Sequence, residues 1–206
     1  MTDHCPSCNA PIHPVEIEVV LDRSGSMSSL RDDAIGGYNA WLAGQQADPS
    51  PANLTTTLFD NEFITAPSRP IAEGIPLNTE TYVPRGGTAL LDAVGRALSR
   101  LEAKNPTKAI LVILTDGQEN ASKETTKSQL LQRIERAQAR GWQVVYLSAA
   151  ATAFSDAAAF GIRAANTVQF AHTGAGLAGA YGTMTASNLS YRATGNAAVV
   201  QPDDGA

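Results

Sequence analysis

Val15-Glu16-Ile17-Glu18-Val19-Val20-Leu21-Asp22-Arg23-Ser24-Gly25-Ser26-Met27 decides how the rest of the chain is read. It starts as a β-branched, apolar run and ends with a carboxylate and two hydroxyls at alternate positions. The run predicts a strand that turns apolar towards its end, as an inner strand of a covered sheet does. Asp22, Ser24 and Ser26 then set three hard oxygen donors beyond the strand's carboxyl end. Gly25 lets the backbone bend tightly between them. Such donors suit Mg2+, Mn2+ or Ca2+ and suit soft metals poorly.

The same stretch resembles the metal-binding signature of the von Willebrand factor type A domain, Asp-x-Ser-x-Ser. That family's ion site has two further parts, and both have counterparts here. Thr88, in Gly86-Gly87-Thr88-Ala89-Leu90, matches a Thr on a Gly-rich loop. Asp116, in Ile113-Leu114-Thr115-Asp116-Gly117, matches an Asp that follows a later apolar strand. The three segments stand in the family's order, and the resemblance runs from Val15 to about Phe170. It implies a site of the MIDAS type, with Asp22, Ser24, Ser26, Thr88 and Asp116 as ligands of Mg2+, Mn2+ or Ca2+. It also implies a protein partner that offers an Asp or Glu to the ion. Gly25, Gly87, Asp92 and Glu119 are candidates for the shell around those ligands. Asp92 has an ordinary alternative, an acid in the first turn of a helix.

Around this centre the chain reads as alternating strands and helices. Leu30, Ala34, Tyr38 and Leu42 recur at helical spacing, with Ser28 or Ser29 as a cap and Asp32 and Asp33 in the first turn. Gly36-Gly37 inside that helix costs about 1 kcal/mol per Gly relative to Ala, and close packing on the sheet is the expected return. Leu54 to Phe59 predicts a strand, and Asp60-Asn61 a turn into a short antiparallel strand at Glu62 to Ala66. Asp60 reads as a turn former rather than as an extra ligand.

Residues 66–87 form a long Pro-rich connection. Thr88 follows, placed either to cap the next helix or to offer its hydroxyl to an ion. The helix carries Leu90, Leu91, Val94, Leu98 and Leu101 on one face, and Ala109 to Leu114 is the clearest buried strand. Thr126 and Gln129 form a capping box before a helix that Gly141 ends. Strands at Trp142 to Ser148 and Asn166 to Phe170, a helix at Thr152 to Phe160 and an amphipathic helix through Leu177, Tyr181, Met184 and Leu189 complete the series.

The alternation predicts an α/β, Rossmann-like, doubly wound sheet of six mostly parallel strands, with one antiparallel edge strand and helices on both faces. Ligands of such sheets bind beyond the carboxyl ends of the strands, where strand order reverses. The strands ending at Leu21 and Thr115 are expected to be neighbours there. Residues 15–192 form the domain, 1–14 a flexible leader, and 193–206 a disordered tail.

The leader contains Cys5-Pro6-Ser7-Cys8, with His4 and His13 on either side. A Cys-x-x-Cys turn is half of a zinc ribbon, and two histidines could complete a tetrahedral Zn2+ site. The other reading is a leader whose cysteines have no role.

A chain of 206 residues can bury a substantial core in one domain. Its net charge of -5 and lack of any basic run argue against a nucleic-acid partner. No apolar run is long enough to cross a bilayer and no secretory signal opens the chain, so no membrane contact and a cytoplasmic location are the expectations.

Three of the five candidate donors are neutral hydroxyls, and two carboxylates only just balance a divalent ion. A cation held this way retains electrophilic character and a position for an outside ligand. A metal-dependent protein-interaction module is the first reading. A Mg2+-dependent phosphohydrolase or phosphotransferase is the alternative, although Ser24 stands where an Asp-x-Asp pattern would supply a second carboxylate and no phosphate loop is present. A third reading is an ion that only pins the three loops.

Overall fold

The computed structural model describes residues 13–197. β1 (Val15–Asp22) pairs in parallel with β2 (Ala52–Phe59) on one side. On its other side lies β5 (Ala109–Thr115), paired from Glu16↔Ala109 to Leu21↔Leu114. The two apolar runs singled out in the sequence are thus adjacent and in register. β6 (Gln143–Ser148) and β7 (Thr167–Gln169) continue the parallel sheet outward. β3 (Phe63–Thr65) is the expected antiparallel strand, and its path gives the order β3-β2-β1-β5-β6-β7. A seventh strand, β4 (Arg69–Pro70), was not expected; it pairs antiparallel with β2 at Asn53 and Leu54. Two residues ending in Pro carry no periodicity from which it could be read.

Every β1 residue but Glu16 is buried, so the strand serves both faces of the sheet. Ile17, Val19 and Leu21 pack beneath α1 (Arg31–Ala47) and α5 (Gly174–Thr194), with Tyr38, Trp41, Leu177 and Met184. Val20 faces the opposite layer, built by α2 (Leu90–Lys104), α3 (Lys127–Ala139) and α4 (Ala153–Ala159). Leu98, Leu111, Ile134 and Phe160 fill that second core. Burial at both parities is what a strand covered on both sides shows, although on the Val20 face β1 also carries Glu16, Glu18 and Asp22. No helix among the described residues is long and apolar enough to cross a membrane.

Local signals set the helix ends. Thr126 and Gln129 exchange both bonds of the capping box, and Gly141 takes φ +82° beyond α3. The first turn of α1 holds Asp32 and Asp33, but neither Ser28 nor Ser29 caps it. A 3-10 turn over Gly25–Leu30 leads in, and Leu30 stands at the cap. α5 continues to Thr194, where Gly195 at φ +74° ends it.

Of the Gly-Gly pair in α1, Gly37 packs on a helix, not on the sheet, and Gly36 makes no close contact. A Cβ at Gly37 would lie 2.1 Å from the Tyr181 ring of α5, whereas one at Gly36 would have nothing within 4 Å. Gly37→Ala is expected to destabilise the domain by roughly 1–3 kcal/mol through overpacking. Gly36→Ala should stabilise it by up to about 1 kcal/mol through helix propensity. Urea unfolding of the two variants checks the sign of each.

Candidate metal centre

β1 and β5 end side by side at the point where strand order reverses, and Asp22 joins them. Its side chain is wholly buried. Oδ1 accepts the Ser24 amide at 2.6 Å, and Oδ2 accepts the hydroxyl of Thr115, the last residue of β5, at 2.5 Å. Burial pushes its pKa up to about 6; the Thr115 and Ser24 bonds pull the other way, and the charge of Asp116 adds to the rise. Tyr82, from the Pro-rich connection, donates its hydroxyl to the Asp22 carbonyl at 2.6 Å.

From Ser24 a line of polar atoms runs across to the β5 loop. Ser24 Oγ lies 3.1 Å from Ser26 Oγ, and Ser26 Oγ donates to Asp116 Oδ1 at 2.7 Å. Beyond it, His172 Nε2 lies 2.9 Å from Asp116 Oδ2. Nothing in the sequence tied His172 to this place. Its only available signal is position, three residues past the last strand of a sheet whose carboxyl ends carry the other groups.

The Thr88 loop is fastened to both of these loops. Gly25 donates its amide to the Gly86 carbonyl at 3.1 Å, and Arg85 to the Arg23 carbonyl at 2.8 Å. Gly86 makes this turn at φ +67°, a conformation costly for a residue with a Cβ. Thr88 donates its amide to Asn120 Oδ1 at 2.9 Å and accepts the Asn120 amide at 3.1 Å. Of its two anticipated roles, capping falls away: α2 starts at Leu90, with Ala89 at the cap and no side-chain cap bond. A methyl group on Gly117 would sit 3.5 Å from Ser26 Oγ and 3.6 Å from Thr88 Oγ1, so both hydroxyls converge on that glycine.

The surrounding residues divide. Gly25 and Gly87 belong to the loop crossings; a Cβ at Gly87 would come within 2.8 Å of Asn120 Oδ1. Asp92 is buried and accepts the amides of Lys123, Glu124 and Thr125 at 2.7, 3.0 and 2.7 Å. Glu119 accepts the amides of Leu91, Ala121 and Ser122 and the Ser122 hydroxyl. Both acids therefore organise the 119–125 segment. Asp60 does more than form a turn. It is 1% exposed, lies 3.2 Å from Arg23 Nη2 and accepts Arg85 Nε at 2.9 Å. Among the described residues no three His, Cys, Asp or Glu side chains gather as a metal cluster; the oxygens assembled here are two carboxylates and neighbouring hydroxyls. His4, Cys5 and Cys8 lie outside the described residues, and His13, the first of them, is exposed.

No family model matches the sequence. No curated protein matches it. Solved structures do. A structure described as von Willebrand factor type A from Catenulispora acidiphila aligns with a TM-score of 0.54 at 16% identity, over 87% of this chain and 43% of that one. The fold is that of a von Willebrand factor type A domain. PilB minor pilin from Streptococcus sanguinis matches this type A fold over 90% of the chain and 64% of its own length, at TM-score 0.65 and 12% identity. Manganese-loaded TRAP protein of Plasmodium vivax matches over 66% and 57%, at 0.51 and 18%. The chain thus spans less than two thirds of the length of each of these structures.

Proposed function

We propose that the carboxyl end of this sheet binds a protein partner through a divalent cation, Mg2+ or Mn2+. Asp22, Ser24, Ser26, Thr88 and Asp116 hold the ion, and an Asp or Glu of the partner completes its coordination. The observation that carries this reading is donor spacing. Ser24 and Ser26 hydroxyls lie 3.1 Å apart, and Ser26 and Asp116 oxygens 2.7 Å apart. Neighbouring ligands on an octahedral ion with bonds of about 2.1 Å sit about 3 Å from one another. These oxygens therefore need little rearrangement to share a cation. Two carboxylates neutralise the ion's charge and the hydroxyls add none, which leaves a position attractive to an incoming anion. The manganese carried by the TRAP protein of the same fold supports a divalent ion.

The order of groups weighs against a catalytic role. A hydroxyl nucleophile needs a base beside it, with a carboxylate behind the base. Here Asp116 stands between Ser26 and His172, so His172 takes no proton from the serine.

Affinity capture with the purified chain tests the reading. Partner retention is expected with Mg2+, lost in EDTA, restored by Mg2+ in excess, and absent in Asp22→Ala while the far-ultraviolet circular dichroism stays unchanged. Retention that ignores both EDTA and Asp22→Ala removes the ion from recognition.

A further inference from the structure

Asp22 and Asp116 are each held by two donors, but of different origin. Ser24 and Thr115, which hold Asp22, come from the metal-centre loop and the β5 end themselves. Asp116 has Ser26 on Oδ1 and, on Oδ2, a residue from outside all three loops. That residue, His172, is itself fixed by its neighbours. Phe170 is buried and donates its amide to the Ser148 carbonyl at 3.0 Å, which docks the chain on β6. Thr173 caps α5 by accepting the Gly176 amide at 3.1 Å. The imidazole thus stands between an anchored strand end and a helix start, 40% exposed, over an Asp116 side chain that is wholly buried.

We propose that His172 is the positioning residue of the ion site, holding Asp116 by Oδ2 so that Oδ1 alone faces Ser26 and the cation. An ionised carboxylate only accepts hydrogen bonds, so the proton of this contact lies on Nε2. A carboxylate tied at one oxygen offers the other as a single, directed ligand and is not free to swing into a two-oxygen grip. The arrangement inverts the usual outer shell, in which a carboxylate orients a histidine ligand; the consequence for affinity is of the same kind. His172 also shields Asp116 from water on the solvent side, so the ligand is ordered before the ion arrives. This inference rests on the metal-centre reading above.

Mn2+ titration calorimetry on the full chain at pH 7.5 tests it. His172→Ala is expected to bind Mn2+ about 10–100-fold more weakly than wild type. His172→Gln or His172→Asn should recover most of the affinity, since an amide N–H can replace Nε2–H. The metal-free variants should melt with the wild type, and electron spin-echo spectra of bound Mn2+ should show no directly bound nitrogen. The proposal is overturned if His172→Ala binds Mn2+ as tightly as wild type, or if neither amide restores binding. A directly bound nitrogen overturns it as well, by making His172 a ligand. If wild type and Asp22→Ala bind Mn2+ equally or not at all, the failure lies instead with the metal-centre reading.

Discussion

Asp22→Asn is expected to be more stable than the wild type without metal at pH 7.5, and to have lost its response to Mg2+. The folded chain holds the Asp22 proton up to about pH 6, against an ordinary value of 3.8. Between those two values the folded state binds a proton that the unfolded state has released. Metal-free stability therefore falls as pH rises through that window, and the loss is complete above it. A shift of this size corresponds to roughly 3 kcal/mol. Asparagine has the same shape, still accepts the Ser24 amide and carries no charge to desolvate. A gain of about 1–3 kcal/mol at pH 7.5, shrinking towards zero near pH 4, is the expected result. In a domain of this size that is several degrees of melting temperature. Mg2+ should raise the melting temperature of the wild type by binding only the folded state, and leave Asp22→Asn where it was. Thermal melts across pH, with and without Mg2+, decide the matter; an Asn variant that melts below the metal-free wild type at pH 7.5 contradicts it. The implication is that an ionised Asp22 is held at the expense of the fold that carries it.

Arg100→Met is expected to give the opposite effect at the middle of β1. Glu18 lies in the middle of the central strand and is 1% exposed. Arg100 of α2 donates Nε to both of its carboxylate oxygens at 3.1 and 3.2 Å, and Nη2 to one of them at 2.8 Å. Arg100 also reaches the Thr57 hydroxyl at 2.8 Å, so it links α2 to two strands. Burial pushes the Glu18 pKa up and Arg100 pulls it back. Removing the arginine leaves a carboxylate enclosed without its cation, a change that costs roughly 3–5 kcal/mol. The loss should lessen as pH falls and Glu18 takes up a proton, because the folded pKa then lies further above the unfolded one. Glu18→Gln in the Arg100→Met background should recover part of it. Urea unfolding of the single and double variants measures both effects, and a loss below about 1 kcal/mol would show that water already reaches the pair.

Much of this fold could be read because its decisive segments are local and emphatic. The β1 run turns apolar towards its end and the β5 run is apolar almost throughout, an acid closes or follows each, and their adjacency follows from alternating strands and helices. The meeting of the loops that carry Asp22 and Asp116 was visible for the same reason: each acid stands at or directly beyond the end of a strong strand. What escaped depends on contacts between distant segments. His172 meets Asp116 across 56 positions, with no motif at either end to announce it. Tyr82 is wholly buried although it lies in a Pro-rich stretch that reads as exposed connection. Asp60 looked like a turn residue because its two arginine partners come from other loops. Gly37 of α1 was assigned to the wrong neighbour, and Gly36 to a contact it does not make, because a glycine in a helix hints at a close contact but not at which surface makes it.

The margins of the sheet have a further consequence. β3 and β7 are three residues each, and β4 is two, ending in Pro70, which has no amide hydrogen to donate. A neighbouring molecule finds too few free backbone groups at either border to add a rung of its own. Crowded copies of this domain should therefore resist fibrillation by strand-to-strand templating while natively folded, so a preparation that forms fibres will have opened first.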